Sequence, residues 1–196
     1  TQRCLVGKVC PNPDNCRPGC PCGRFVEVWN LVFTQYDRQP DGKLSTLPAP
    51  NIDTGMGLER LAAVMQGKMS VFETDLFAPL VKEILQQFEC DTDKANAYAI
   101  ADHVRALTFL IADGVVPSND GRGYVLRMLL RKGFRAGRSL GFLEPFLYRL
   151  SSEVVTVMEE SYPELTPRRE SITQLIKAEE ERFLQMLEEK LPLLRQ

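Results

Sequence analysis

The chain has little of anything that would assign it to a class of protein by composition alone. Its 196 residues include one histidine and one tryptophan, and the formal net charge is −2. A chain so close to neutrality has no overall attraction for nucleic acid, so a polyanion site must be a local patch. No apolar run approaches the length of a membrane span, and no signal peptide or internal repeat is visible. Because the chain begins at Thr1 rather than Met, we expect a segment of a longer protein.

Cysteine is concentrated at one end, since five of the six cysteines precede residue 23. A disulfide framework is disfavoured because the remaining sequence has the pattern of a cytosolic enzyme. Residues 16–23 read Cys-Arg-Pro-Gly-Cys-Pro-Cys-Gly, and such a turn can direct thiolates at one tetrahedral centre, the geometry that Zn²⁺ prefers. The predicted ligands are Cys10, Cys16, Cys20 and Cys22, with Cys4 as a substitute. The alternative is a thiol cluster that holds no metal.

Apolar periodicity divides the chain into a short β-containing part and a helical part. Residues 24–37 alternate poorly between apolar and polar and are apolar on both faces, which predicts a strand buried on both sides. Glu27 and Asn30 are its interior polar residues. A second strand is expected near residues 51–53, after two prolines that favour extended backbone. Composition becomes polar and aperiodic at 89–96, where we place a domain boundary. The predicted helices are 57–65, 75–88, 94–113, 121–139, 144–160 and 168–191.

The segment 53–61, Asp-Thr-Gly-Met-Gly-Leu-Glu-Arg-Leu, is the most informative for function. Two glycines lie where backbone can approach a ligand closely, and they precede a helix that carries Arg60 near its start. This arrangement suits a phosphate or nucleotide site. The alternative is a turn into an amphipathic helix with one surface arginine.

A second candidate site is basic. No acidic residue occurs between Gly121 and Leu143. Four arginines at helical spacing share one side of the predicted helix, an arrangement typical of contacts to a phosphate backbone. They are Arg127, Arg131, Arg135 and Arg138, with Arg122 and Lys132 flanking them. The alternative is an arginine face that pairs with the acidic last helix. His103 lies between apolar residues and is predicted to be structural.

Several longer motifs follow one another along the chain: Glu-Val-Trp-Asn-Leu-Val-Phe (27–33), Gln-Tyr-Asp-Arg-Gln-Pro-Asp-Gly (35–42), Leu-Pro-Ala-Pro-Asn-Ile (47–52), the 53–61 segment, Ile-Ala-Asp-His-Val-Arg-Ala-Leu (100–107), Ala-Asp-Gly-Val-Val-Pro-Ser-Asn (112–119) and Arg-Gly-Tyr-Val-Leu-Arg (122–127). Taken in this order, they resemble the alanyl-tRNA synthetases. The resemblance covers about residues 24–190. It implies an α+β fold, in which the C-terminal part of a class II antiparallel-sheet catalytic domain precedes an all-α domain. The expected domains are a Cys-rich segment (1–24), the catalytic part (25–92) and a helical tRNA-recognition domain (93–196).

The resemblance also implies roles for individual residues. Asp53 would hold the amino group of alanine, Gly55 would form the floor of the alanine pocket, and Asn30 and Trp29 would line it. Gly57 and Arg60 would contact ATP, which is used with Mg²⁺. From the residues alone, Asp53 can instead cap the following turn, and Trp29 can instead be a core residue. Asn119 would read the acceptor-stem G·U pair of tRNA(Ala), and the arginines would contact its backbone.

The familiar members of this family have no Cys-rich turn near this position, so that feature is a departure from the pattern. The family's earlier catalytic motifs are expected upstream of Thr1, and a downstream aspartate that also reads the G·U pair is expected beyond Gln196. The isolated chain is therefore predicted to be inactive. Separately, the protein is predicted to be cytoplasmic, with no membrane among its partners. The rival hypotheses are a stand-alone tRNA-binding module and a zinc-bearing interaction domain without catalysis.

Overall fold

A computed structural model describes residues 14, 16–20, 22, 25–87 and 94–190. Cys4, Cys10 and Cys90 lie outside these residues. The chain divides into two compact units, Thr1–Thr74 and Asp75–Gln196, so α2, defined below, belongs with the helices that follow it. The predicted α+β class is confirmed, because an antiparallel pair of strands precedes a series of helices.

The first unit is built on a β-hairpin. Strand β1 (Trp29–Arg38) pairs antiparallel with β2 (Leu44–Met56), and the register is interrupted between Thr34 and Tyr36. The connecting turn contains Gly42 with φ +83°, a left-handed conformation that glycine adopts without steric cost. Helix α1 (Leu58–Met65) follows β2 after a single residue, and a short 3₁₀ helix spans Val71–Glu73. The second strand is much longer than the predicted 51–53.

The prediction that the first strand is buried on both sides is wrong for the described residues. In β1 only Thr34 is even partly buried, and Phe33 is 66% exposed. Each strand pairs with one neighbour, and no further strand or layer covers the hairpin within the described part of this unit. The apolar pattern correctly predicts extended backbone, but it does not specify what packs on it.

In the second unit the described residues form helices joined by loops, with no strand among them. Its helices are α2 (Ala78–Gln86), α3 (Lys94–Ala112), α4 (Gly121–Leu140), α5 (Leu147–Met158) and α6 (Arg169–Lys190), with a 3₁₀ helix at Pro163–Arg168. Helix α3 packs against α4, α5 and α2, and α5 packs against α6. Ile100, Val104 and Leu107 of α3 are fully buried at helical spacing, which is the pattern of a helix that contacts neighbours along one side. Among the described residues, no helix combines the length and apolar character that a bilayer crossing requires.

Helix α5 begins at Leu147, three residues later than predicted, because an acceptor from α6 fixes its start. The carboxylate of Glu180 is fully buried and accepts hydrogen bonds from the backbone N–H groups of Phe146, Leu147 and Tyr148 at 2.9–3.0 Å. These are donors that the first turn of a helix leaves without intrahelical partners. A Cβ on Gly137 of α4 would lie 2.2 Å from the Phe146 ring, so glycine is needed for this close approach.

Candidate functional site

The end of the hairpin brings together the residues predicted to bind alanine. The register pairs Asn30 with Gly55 and Val32 with Asp53. Directly paired residues lie on the same face, and residues two apart along a strand also share a face. Asn30, Gly55 and Asp53 therefore lie on one face, and a Cβ on Gly55 would lie 3.3 Å from the Asn30 Oδ1. Because Gly55 has no side chain, the face that it shares with Asp53 is open beside the Asn30 amide.

Trp29 lies on the opposite face of the hairpin, since it is adjacent to Asn30 in the same strand. Its indole Nε1 donates to the Thr54 hydroxyl, which itself donates to the Asn30 carbonyl at 3.0 Å. The ring is 57% exposed, so the described residues do not place it in a core. The register gives no support to Trp29 as a wall of the pocket that contains Asp53, and that role stays a prediction.

Arg60 is anchored close to this face by the segment that precedes β1. Its Nη1 donates to the carbonyl oxygen of Glu27 at 2.6 Å, and the Glu27 carboxylate accepts from the Asn30 amide at 3.3 Å. Gly57 donates its N–H to the carbonyl of Val28 at 3.0 Å. One short segment thus orients both the amide and the guanidinium. Because the guanidinium has five donors and uses one here, it retains donors for a phosphate or carboxylate.

Asp53 is exposed, and its carboxylate has no hydrogen-bond partner within the ranges that the structure describes. Helix α1 has Gly57 at its N-cap and no side-chain cap. Asp53 therefore does not cap this helix, which was the alternative role. An exposed carboxylate without a protein partner is suited to holding an ammonium group.

Three of the predicted zinc ligands meet in space. The Sγ atoms of Cys16, Cys20 and Cys22 all lie within 4.8 Å of one another, and Cys22 is 2% exposed. The Cys16 and Cys22 sulfurs are 3.6 Å apart, which is too long for a disulfide. Thiolates around a tetrahedral Zn²⁺ at about 2.3 Å are ~3.8 Å apart, so the spacing fits a metal. The fourth predicted ligand, Cys10, lies outside the described residues.

The turn in the Cys-rich segment explains how the chain brings these thiols together. The Cys20 N–H donates to the Arg17 carbonyl at 3.0 Å, and Gly19 has φ +90°. Pro18 and Gly19 therefore occupy the central positions of a turn whose second central residue needs positive φ, as in type II. The turn reverses the chain between Cys16 and Cys20, so that their sulfurs lie close to that of Cys22.

The arginine side of α4 is divided between two environments. Arg127 is 14% exposed and pairs with the buried Glu179 of α6, and Arg131 lies over the Phe183 ring at 5.1 Å. Arg131 Nε is buried without a hydrogen-bond partner. Arg135 and Arg138 are exposed, and Arg138 donates to the Leu143 carbonyl at 3.0 Å. Pairing with the acidic last helix, the alternative drawn from the sequence, is thus observed for Arg127.

The loop before α4 carries Asn119, which is exposed. Arg127 Nη1 donates to the Asn119 Oδ1 at 2.5 Å. Asp120 occupies the N-cap of α4, and no side chain caps the helix. A Cβ on Gly123 would lie 2.3 Å from the Val116 carbonyl oxygen, so the loop is seated tightly on the first turn of α4. Arg122 is exposed near the same helix end.

His103 contacts Asp102, and its side chain is 20% exposed. The Nδ1 lies 3.3 Å from the Asp102 carboxylate. The hydrogen bond to His103 lowers the pKa of Asp102 below its ordinary value, against the opposing effect of burial. No nucleophile accompanies the pair among the described contacts, which agrees with a structural histidine.

Comparison with known proteins decides the family. Residues 11–196 match the family described as tRNA synthetases class II (A). The chain belongs to this family. It is 50% identical over 182 residues to the alanine–tRNA ligase of Endomicrobium trichonymphae, covering 91% of the chain and 21% of that protein. It is 50% identical over 187 residues to that of Thermotoga maritima, covering 93% of the chain and 22% of that protein.

A third relative, the alanine–tRNA ligase of Magnetococcus marinus, is 52% identical over 166 residues, which cover 82% of the chain and 19% of the relative. The chain thus spans about a fifth of the length of the curated relatives it matches. The class II family membership agrees with the resemblance expected from the sequence motifs. The matched region includes the described cysteines, the hairpin face and the arginine helix.

Proposed function

We propose that this chain is a segment of an alanine–tRNA ligase, which activates alanine with ATP and Mg²⁺ and transfers it to tRNA(Ala). The observation that carries the proposal is the identity of about 50% to alanine–tRNA ligases across more than nine-tenths of the chain. The hairpin geometry supports it, because a carboxylate, an amide and a glycine share one face. Since the chain is a fifth of its relatives' length, the complete reaction is assigned to the longer protein, with a cytoplasmic location.

In the proposed alanine site, Asp53 binds the ammonium group and Gly55 leaves space beside the Asn30 amide. A methyl-sized pocket discriminates weakly between alanine and amino acids of similar size, since one methylene or hydroxyl is worth only ~1–3 kcal/mol.

Gly57 and Arg60 are proposed to contact ATP. The Arg60 guanidinium can pair with phosphate or stack on an aromatic base. Mg²⁺ would neutralise phosphate charge when bound, while Arg60 orients the nucleotide.

In the proposed RNA site, cations of α4, of which Arg122, Arg135 and Arg138 are exposed, contact the acceptor-stem backbone and Asn119 contacts a base edge. Phosphate contacts position the RNA, whereas base-edge contacts discriminate between sequences. The minor groove of A-form RNA is the groove that protein side chains can reach. The residues proposed for this surface are Asn119, Arg122, Arg127, Arg131, Arg135 and Arg138.

Removing two exposed cations of α4 is expected to weaken RNA binding without changing specificity. In Arg122→Ala/Arg135→Ala, affinity for all stems should fall equally, and the slope of log K against log salt should shrink by about 1 for each lost phosphate contact. Both side chains are exposed, so the fold should be unaffected. Fluorescence anisotropy with an acceptor-stem hairpin at several salt concentrations measures both quantities.

The matched control is Lys43→Ala, which removes an exposed cation that pairs with Asp41 in the hairpin turn. It should leave the salt dependence unchanged. Binding that does not depend on salt, or that is equally weakened by the control, would contradict the proposed RNA surface.

The Cys-rich segment is further proposed to hold one structural Zn²⁺ through Cys16, Cys20, Cys22 and Cys10. Metal analysis of chain purified without chelator should find about one zinc per molecule, as expected for a closed structural site. Cys16→Ser and Cys22→Ser should each abolish stoichiometric binding, whereas Cys90→Ser is the control and should retain it. Comparing Cys10→Ser with Cys4→Ser identifies the fourth ligand. Zinc content unchanged by Cys16→Ser would exclude the site.

A further inference from the structure

The Arg127 guanidinium is held by contacts within the protein, unlike an exposed arginine that is free to contact a phosphate. Its Nε donates to the Glu179 Oε1 at 2.6 Å, and its Nη2 lies 3.4 Å from the Oε2 of the same carboxylate. Glu179 is 4% exposed, and Arg182 also donates to it at 3.3 Å. A bidentate pair fixes the plane of a guanidinium as well as its position. The direction of the remaining Nη1 donor is therefore set by α6.

That remaining donor orients the Asn119 amide. Arginine can only donate hydrogen bonds, so the Asn119 atom 2.5 Å from Nη1 must be the carbonyl oxygen. The Nδ2 hydrogens then point away from Arg127, and they have no partner within the described parts of the chain. Asn119 thus presents its amide donors to whatever approaches the loop, while its oxygen is directed at Arg127.

The backbone on either side restricts the loop as well. The close approach of the Val116 carbonyl and the Ser118 Oγ to Gly123 seats the preceding residues on α4. Ser118 donates to the Asp120 carbonyl at 2.6 Å. Both the loop backbone and the amide are consequently fixed before any ligand is present, which reduces the entropy lost on binding.

We infer that Arg127 is a positioning residue: held by Glu179, it fixes the Asn119 amide so that the loop selects a hydrogen-bond acceptor on the RNA. This inference rests on the proposed RNA-binding function and assigns Arg127 a different role from the phosphate contacts of α4. An exposed pyrimidine O2 or purine N3 in the minor groove satisfies such a donor, whereas an exocyclic amino group at the same point does not. The selected partner is therefore a base edge with an acceptor.

The orientation of the amide can be tested without RNA. In the wild-type chain the side-chain ¹⁵N heteronuclear NOE of Asn119 should match that of the ordered backbone, and in Arg127→Lys it should fall to that of exposed amides. Lysine keeps the charge, but it lacks the planar fork that reaches Glu179 and Asn119 together. Arg169→Lys is the control, because Arg169 also pairs with a glutamate, Glu159, but makes no contact with Asn119. An equally mobile amide in wild type and Arg127→Lys would overturn the inference.

RNA binding gives the second readout, with acceptor-stem hairpins that carry either G·U or G·C at the same position. Arg127→Lys should reduce the preference for G·U by about fivefold, the lower end of what one base contact supplies, with unchanged salt dependence. In an Asn119→Ala background the same change should have no further effect, since interacting residues are non-additive. Asn119→Asp retains an acceptor for Arg127 but removes the donors, so it should lose the preference even if Arg127→Lys folds poorly.

The outcomes separate the two proposals. Equal binding of G·U and G·C by the wild-type chain would refute reading of the pair by this segment, and the amide NOE would still decide whether Arg127 positions Asn119. Weaker binding of all stems by Arg127→Lys, with a reduced salt slope, would show that Arg127 contacts phosphate and would overturn the positioning role. Retained G·U preference in Asn119→Asp would also overturn it.

Discussion

Replacing Glu180 with alanine is expected to destabilise the helical unit by about 3 kcal/mol or more, because three backbone N–H donors lose their buried acceptor at once. The carboxylate is fully buried and accepts from three consecutive backbone N–H groups, those of Phe146, Leu147 and Tyr148. Loss of an exposed N-cap costs only ~1 kcal/mol, since water replaces the cap. Water cannot replace the Glu180 carboxylate at this buried helix start, so the cost of its loss is larger than that of an exposed N-cap.

Urea denaturation followed by far-UV circular dichroism measures the change in the free energy of unfolding. Glu188→Ala is the matched control, because Glu188 is an exposed glutamate on the same helix, and exposed substitutions usually stay within ±0.5 kcal/mol. A loss for Glu180→Ala no greater than that of Glu188→Ala would mean that the three N–H groups find another acceptor.

The long helices were predictable from local sequence. Residues 94–113 and 168–191 were expected, and Lys94–Ala112 and Arg169–Lys190 are observed. Their boundaries follow from the apolar period and from local turn residues, and both signals lie within a few positions of each helix end. In the last helix, Ile172, Ile176 and Phe183 recur at helical spacing and are buried.

The start of α5 was not predictable in the same way. Its first N–H groups donate to the side chain of Glu180, which lies 33 residues after Leu147 in the sequence. No local pattern indicates so distant an acceptor. From the sequence, Glu180 is one of several glutamates in an acidic helix. Only the packing of α6 on α5 distinguishes the buried capping carboxylate from its exposed neighbours.

The same limit applies to the candidate sites. Helical spacing places the four arginines of α4 on one side, but it cannot tell which of them face α6, so the sequence does not decide between phosphate contacts and pairing with the acidic last helix. In the hairpin, the motif identifies Asn30, Gly55 and Asp53 without giving the strand register. The register unites these three on one face and places Trp29 on the other. Tertiary and cross-strand partners therefore carry the information that motifs lack.

The stability of the helical unit is expected to fall as pH rises from about 5 to 8, and Glu180→Gln should remove most of that dependence. Burial raises the pKa of Glu180 from 4.5 to about 7, and the hydrogen bonds from Phe146, Leu147 and Tyr148 only partly oppose it. Between pH 4.5 and about 7, Glu180 is protonated in the folded chain and ionised in the unfolded chain. Each pH unit in the window then lowers the free energy of unfolding by ~1.4 kcal/mol, or roughly 3 kcal/mol in total.

The sign follows from which state binds the proton. Below pH 4.5 both states are protonated, so the contribution is fully present, and above about pH 7 both are ionised and it has been lost. Glutamine cannot titrate. Its carbonyl can still accept from Phe146 and Leu147, but its amide group then faces the Tyr148 N–H, a donor against a donor, which costs about 1–3 kcal/mol when buried.

Urea titrations at pH 5 and pH 8 on both proteins test this expectation, because contributions from groups other than residue 180 are common to both and cancel in the comparison. Glu181→Gln serves as the control, since Glu181 is exposed and pairs with Lys177 at 3.9 Å. It should retain the wild-type pH dependence, because removing an exposed neighbouring charge changes the Glu180 environment little. Parallel pH profiles for the wild type and Glu180→Gln would mean that the buried carboxylate does not take up a proton in this range, and that the three N–H donors outweigh its burial.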